Sequence, residues 1–168
     1  MRESFWDSMR RVSERRTVVS LPKGWRTQWG NDDSELTLVM TERLPEKERT
    51  RDPRRATIFE MGTNAKDGAE LLRLTLSDTR GHAGALGKID ILRQPGSIIR
   101  FDARRAVPND PFGRDIVVPG WYAAAVVPGA GPGGQALGVV IGVEGYDTAG
   151  PAGPRLVRQL ADGLSLPK

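Results

Sequence analysis

The chain has 168 residues, 38% hydrophobic, 27% charged and 6% aromatic, with a formal net charge of +4, a length that suits one domain whose core needs no metal or disulfide staple. Cysteine is absent, which excludes disulfides, thiolate metal sites and cysteine nucleophiles, and a single histidine is too few for a protein-enclosed zinc site. The longest apolar run, Trp121 to Val127, is fenced by Pro119 and Pro128 and falls far short of the ~20 residues of a membrane-spanning helix.

The opening Met1-Arg2-Glu3-Ser4-Phe5-Trp6-Asp7 carries acids where a secretory leader needs an apolar run, so no signal peptide is expected and a cytoplasmic location is the default expectation. Ser4-x-x-Asp7 is a capping-box-like start, and Phe5, Met9 and Val12 follow at helical spacing with Trp6 widening the face, which predicts an amphipathic helix over 1–16. Glu3 and Asp7 at its positive end and Arg15 and Arg16 at its negative end suit the helix dipole. From Thr17 the period changes to two. Strands are expected over Thr17–Leu21, Trp25–Trp29 and Glu35–Thr41, separated by turns at Pro22-Lys23-Gly24 and Gly30-Asn31-Asp32-Asp33. Residues Glu42 to Arg55 form a mixed-charge stretch that is nearly devoid of apolar residues and broken by two prolines, the composition of a mobile surface loop or hairpin tip.

Ala56–Glu60 resumes the strand pattern. After turn chemistry at Asp67-Gly68, Leu72, Leu74 and Leu76 alternate with Arg73 and Thr75 and read as a strand, with a helix from Ala69 as the alternative. Asp78–Gly87, with three glycines and the only histidine, reads as a loop. Lys88–Leu92 and Ser97–Asp102 form an expected hairpin joined through Arg93-Gln94-Pro95-Gly96, where Pro-Gly suits a type II turn. Ala106–Arg114, with Pro108 and Pro111, is expected to be irregular. Asp115–Val118, Trp121–Val127 and Ala136–Val143 are apolar on both alternations, as strands buried on two faces are. Gly129 to Gly134 is a flexible connection. A final helix starts near Pro154, with Leu156, Val157, Leu160 and Leu164 at helical spacing. The expected fold is α+β: a β-rich antiparallel sheet (meander, sandwich or partly closed barrel) with an N-terminal and a C-terminal helix, residues 17–168 forming one domain.

Several motifs touch on chemistry. Gly129-x-Gly131-x-x-Gly134, with Asp147 downstream, matches the dinucleotide fingerprint, but a strand and not a helix follows, so no helix N-terminus faces a pyrophosphate. Gly81 to Lys88 approaches a phosphate loop, yet His82 stands where glycine is needed and Ile89 where Ser or Thr would hold magnesium. His82, with Ser77 and Asp78 nearby, is a candidate base near neutral pH. Asp90 and Asp102 become near neighbours if their hairpin turns at Pro95-Gly96, a candidate acid/base couple, although each carboxylate has a basic neighbour available in Lys88, Arg100 or Arg104. Trp25 and Trp29 share a face beside Lys23 and Arg26, a pattern for stacking single-stranded nucleic acid that equally suits core packing.

Ser20-Leu21-Pro22-Lys23-Gly24-Trp25 resembles the opening of small bacterial α/β domains of the PsbP and DcrB type, which serve as assembly factors or secretion chaperones. The resemblance covers six residues and carries over no site residue. The ending, strand, glycine-rich loop, strand and Pro-led helix, resembles the last elements of penicillin-binding transpeptidase domains, but Ser-x-x-Lys and Lys-Thr-Gly are both missing.

The residues favour a non-enzymatic binding or structural subunit of a multi-protein assembly, in a virion, secretion-apparatus or chaperone-like role. Phe5, Trp6 and Met9 of the helix and Arg49, Arg51, Arg54 and Arg55 of the charged loop are its candidate partner-binding residues. Protein partners or a homo-oligomer are expected, and no cofactor or metal. The alternatives are a small hydrolase or nucleotide-processing enzyme using His82 or the Asp90/Asp102 region, and a nucleic-acid-binding protein using Trp25, Arg26 and Trp29.

Overall fold

A computed structural model describes residues 17–27, 37–42, 54–145, 148 and 150–167. The strands are β1 (Val18–Val19), β2 (Trp25–Thr27), β3 (Thr37–Glu42), β4 (Arg55–Thr63), β5 (Gly81–Ile91), β6 (Gln94–Ala106), β7 (Asp115–Val118), β8 (Gly120–Val127), β9 (Ala136–Glu144) and β10 (Leu164–Ser165). The described helices are α1 (Gly68–Leu76) and α2 (Ala152–Asp162). An eight-stranded sheet runs in the order β2-β3-β4-β9-β8-β6-β5, with β7 beside β6, while β1 pairs with β10 in a small second sheet. Every pairing is antiparallel. The α+β, β-rich class and the C-terminal helix are as expected. The helix expected over 1–16 and the charged segment 43–53 lie outside the described residues.

The double apolar alternation of β8 and β9 has its cause in two covering layers. Ala123, Ala125, Val139, Ile141 and Val143 point to one face and pack with Leu156, Val157, Leu160 and Ala161 of α2. Ala124 and Val140 point to the other and pack with Leu71 and Leu72 of α1. Helix α2 buries adjacent pairs one turn apart, the stripe that covers a sheet. Ahead of it, the Trp121 indole N–H donates to the Thr148 carbonyl at 2.8 Å, and the Thr148 hydroxyl donates to the Pro119 and Gly145 carbonyls. The approach to α2 is thereby pinned to β8 and β9.

Four expectations are corrected. Residues 68–76 are helix, not strand. Asp67 caps it by accepting the Glu70 N–H at 2.8 Å, while Glu70 reaches back to the Lys66 N–H at 3.4 Å, a variant of the capping box. Leu71 and Leu72 are both buried whereas Leu74 is 49% exposed, a pattern that alternation cannot produce. The glycine-rich 81–87 is strand, not loop: it is the exposed edge of the sheet, with a bulge between Ala83 and Leu86, and pairing with β6 overrides the weak strand preference of glycine. Strand β7 lies outside the core, with Ile116 and Val117 37% and 51% exposed.

The fourth correction concerns the β5–β6 turn. Leu92 and Arg93 form it, with φ of 51° and 63°, and Ile91 stands opposite Gln94. Two central residues with positive φ make the tight turn whose twist matches paired strands, so Pro95 and Gly96 fall inside β6. Arg93 is exposed and not glycine, so Arg93→Gly is expected to stabilise the protein by roughly 0.5–1 kcal/mol through relief of left-handed strain. Thermal unfolding should register it as a rise of about 1–4 °C.

Candidate functional site

Helix α1 covers only part of its side of the sheet. Strands β5 and β6 continue beyond it, and an open groove of 750 Å³ runs between them and the helix. Ile99 and Phe101 of β6 and Ala83 and Leu86 of β5 form its floor, Leu72 and Leu76 its helical wall, and Lys66, Asp67, Glu70 and Arg73 its rim. Floor residues come from paired positions, Ala83 opposite Phe101 and Leu86 opposite Ile99, so each pair shares a face. Phe101 is held by an edge-on contact with Tyr122, ring centroids 6.1 Å apart. Leu86 is 57% exposed, an uncovered apolar side chain inside a shaped concavity.

On the other side of the same strands lies the only histidine. His82 stands directly opposite Asp102 in a hollow of 420 Å³ that Arg80 and Arg104 also line. The Asp102 carboxylate is taken by the Arg100 guanidinium through two hydrogen bonds of 3.1 Å, and Arg80 pairs with Asp115 at 2.8 Å. Asp90 stands opposite Pro95, eight residues along β5 from His82, which is ~25 Å of strand. The expected Asp90/Asp102 couple is therefore not assembled, because the turn lies nearer the N-terminus than Pro95-Gly96. Ser77 opens on the groove, on the opposite face from His82. No group of three or more His, Asp or Glu able to hold a metal occurs among the described residues.

A third cluster escaped the sequence reading. The Tyr122 hydroxyl and the Arg105 guanidinium both donate to Glu144 Oε1, and Arg55, Thr57 and Gly142 complete a small hollow of 130 Å³. Burial, reinforced by the Glu144 charge, raises the Tyr122 hydroxyl above the ordinary tyrosine range, so it remains a donor at any physiological pH. The members come from β4, β6, β8 and β9, and nothing in their sequence spacing signals the cluster.

Among the other candidates, Arg55 opens β4 opposite Glu144, and Arg54 precedes it, half-buried. Trp25 packs against the larger core, and its N–H donates to the Pro22 carbonyl at 3.2 Å across the expected turn. Its ring is partly buried and takes a packing role. Arg26 lies in β2. Phe5, Trp6, Met9, Trp29, Arg49 and Arg51 lie outside the described residues.

No protein-family model matches the chain, and no curated protein matches it significantly. The fold does have a solved counterpart. LpqN of Mycobacterium tuberculosis, whose crystal structure is described as that of a protein involved in cell envelope biogenesis, superposes with a TM-score of 0.55 at 11% identity, over 90% of this chain and 83% of that chain. At that identity the likeness to LpqN is one of fold, and function follows from the residues that line a site and not from the fold beneath them. Among the described residues no helix is long and apolar enough to cross a membrane.

Proposed function

We propose that the protein is a non-enzymatic binding subunit of a larger assembly, and that it receives apolar side chains of a protein partner in the groove beside α1. The groove itself carries this reading: an apolar floor with a charged rim is the arrangement that anchors an inserted amphipathic segment and orients it. The geometry of the catalytic candidates supports it further. His82 sits on an exposed edge strand, Asp102 is engaged by Arg100, and Asp90 is remote from both. An assembly role is in keeping with LpqN, which is described as involved in cell envelope biogenesis.

Leu86→Asp tests the reading. The side chain is 57% exposed, so stability is expected to change by no more than about 0.5 kcal/mol. A charge on the groove floor should lower binding of the apolar dye anilinonaphthalene sulfonate about tenfold and abolish cross-linking to the partner recovered with the unaltered chain. Unchanged dye binding and an unchanged cross-linking pattern would remove the groove from consideration.

A further inference from the structure

Strands β6 and β7 run past the end of the sheet as an arm, closed by residues 107–114, and β7 pairs only with β6 among the described residues. Of the seven exposed large hydrophobic residues among those described, three lie on this arm: Phe112 at 80%, Val117 at 51% and Ile116 at 37%. The exposure of Phe112 is built, not incidental. Asp110 accepts the Phe112 N–H at 3.0 Å, the Arg114 N–H at 3.0 Å and the Arg114 Nε at 2.7 Å, and the Val107 N–H donates to the Arg114 carbonyl at 2.9 Å. The Arg114 guanidinium lies 5.4 Å from the centre of the Phe112 ring. The Arg114 guanidinium and the Phe112 N–H hold the Asp110 carboxyl below the usual carboxylate range. The lock therefore persists at neutral and mildly acidic pH and is lost only as pH falls through that lowered value.

Polarity is distributed along the arm and not across it. Arg105 stands opposite Ile116 on one face, and Arg104 stands opposite Val117 on the other, while the aromatic ring occupies the tip. A surface that docks on a protein typically has an apolar core ringed by a polar rim. Here both sides are alike, and only the tip differs from the stem. Residues 104–118 hold three arginines against two aspartates; those aspartates are taken by Arg114 and Arg80, and Arg105 is held by Glu144. Arg104 makes no ion pair among the described residues. An apolar tip with one uncompensated arginine at its stem fits end-on entry into a layer that is anionic at its surface and apolar beneath.

We propose that this arm docks the protein on an anionic lipid surface, with Phe112 entering the acyl boundary and Arg104, the arginine of the arm that no carboxylate holds among the described residues, at the level of the phosphates. The surface is separate from the groove beside α1, so either can fail without the other.

The absence of cysteine makes a site-specific test direct. Phe112→Cys in the full chain, labelled with a nitrobenzoxadiazole dye, is mixed with vesicles of phosphatidylcholine alone or of equal parts phosphatidylcholine and phosphatidylglycerol. The same label at Arg158→Cys, on the exposed side of α2, serves as control. The expected result is a blue shift at position 112 with the anionic vesicles only, none at position 158, and reversal by salt. Phe112→Ser, unlabelled, should sediment with those vesicles about tenfold less than the unaltered chain, its thermal unfolding confirming an intact fold. No shift in either composition would overturn the proposal and direct the search to a protein pocket that takes Phe112. Equal shifts in both compositions, or undiminished sedimentation of Phe112→Ser, would overturn it as well.

Discussion

Gly68→Ala is expected to destabilise the protein by about 1–3 kcal/mol and to abolish ligand uptake in the groove, although alanine is the better helix former. A Cβ added at Gly68 would lie 2.1 Å from the Ala124 carbonyl oxygen, 2.9 Å from its carbon and 3.1 Å from the Ser97 nitrogen. All three are backbone atoms of the central strands β8 and β6, and they cannot retreat without breaking ladder hydrogen bonds. Helix α1 must therefore lift, uncovering Leu71 and Leu72, which are 1% and 2% exposed. Urea unfolding should show a lower midpoint with little change in slope. The groove loses its helical wall in the same movement, so dye binding should fall even in the folded fraction. A midpoint equal to that of the unaltered chain would mean that α1 does not sit this close to the sheet.

Leu160→Ala is expected to have the larger effect on stability and the smaller one on binding. Leu160 is fully buried, in the layer where α2 covers Val139, Ile141 and Val143. Truncating such a leucine removes its burial and leaves a cavity, for about 2–5 kcal/mol. In a chain of this size that is a fall in melting temperature of roughly 5–15 °C. The groove lies on the opposite face of the sheet, so dye affinity below the melting point should be unchanged. The two variants thus separate the layers: one loosens the binding face, the other the core. A loss of dye binding in Leu160→Ala at low temperature would show that the two faces are coupled.

Legibility of the sequence followed the range of the interaction that decided each element. The Trp121–Val127 and Ala136–Val143 strands and the C-terminal helix were readable because alternation and helical spacing are local, and burial of both sheet faces left its mark on every residue. Asp67-x-x-Glu70 carries a helix-start pattern, while Leu72, Leu74 and Leu76 alternate as a strand does, so local pattern alone leaves this segment ambiguous. The glycines of β5 suggested a loop because composition alone does not reveal an edge strand that a partner holds in place.

The site was less legible than the fold. Pro95-Gly96 has the chemistry of a turn, but the chain turns at Leu92 and Arg93, and that displacement carries Asp102 from the neighbourhood of Asp90 to a place opposite His82. Register is settled by which residues each face must bury and by the twist of the paired strands, neither of which a single segment encodes. The groove needs α1 and two strands at once, and the Tyr122–Glu144–Arg105 cluster joins β6, β8 and β9, so neither has a sequence signature.

By itself the sequence determined the β-rich class, the doubly buried strands, the C-terminal helix and the absence of cysteine chemistry, because period and composition are properties of short segments. Tertiary structure alone decided which carboxylate faces the histidine, that a groove opens beside α1, and that Phe112 is held out on an arm. Those features depend on pairing between distant segments, where the free energy of burying a shared face selects one register among several that each strand would locally permit.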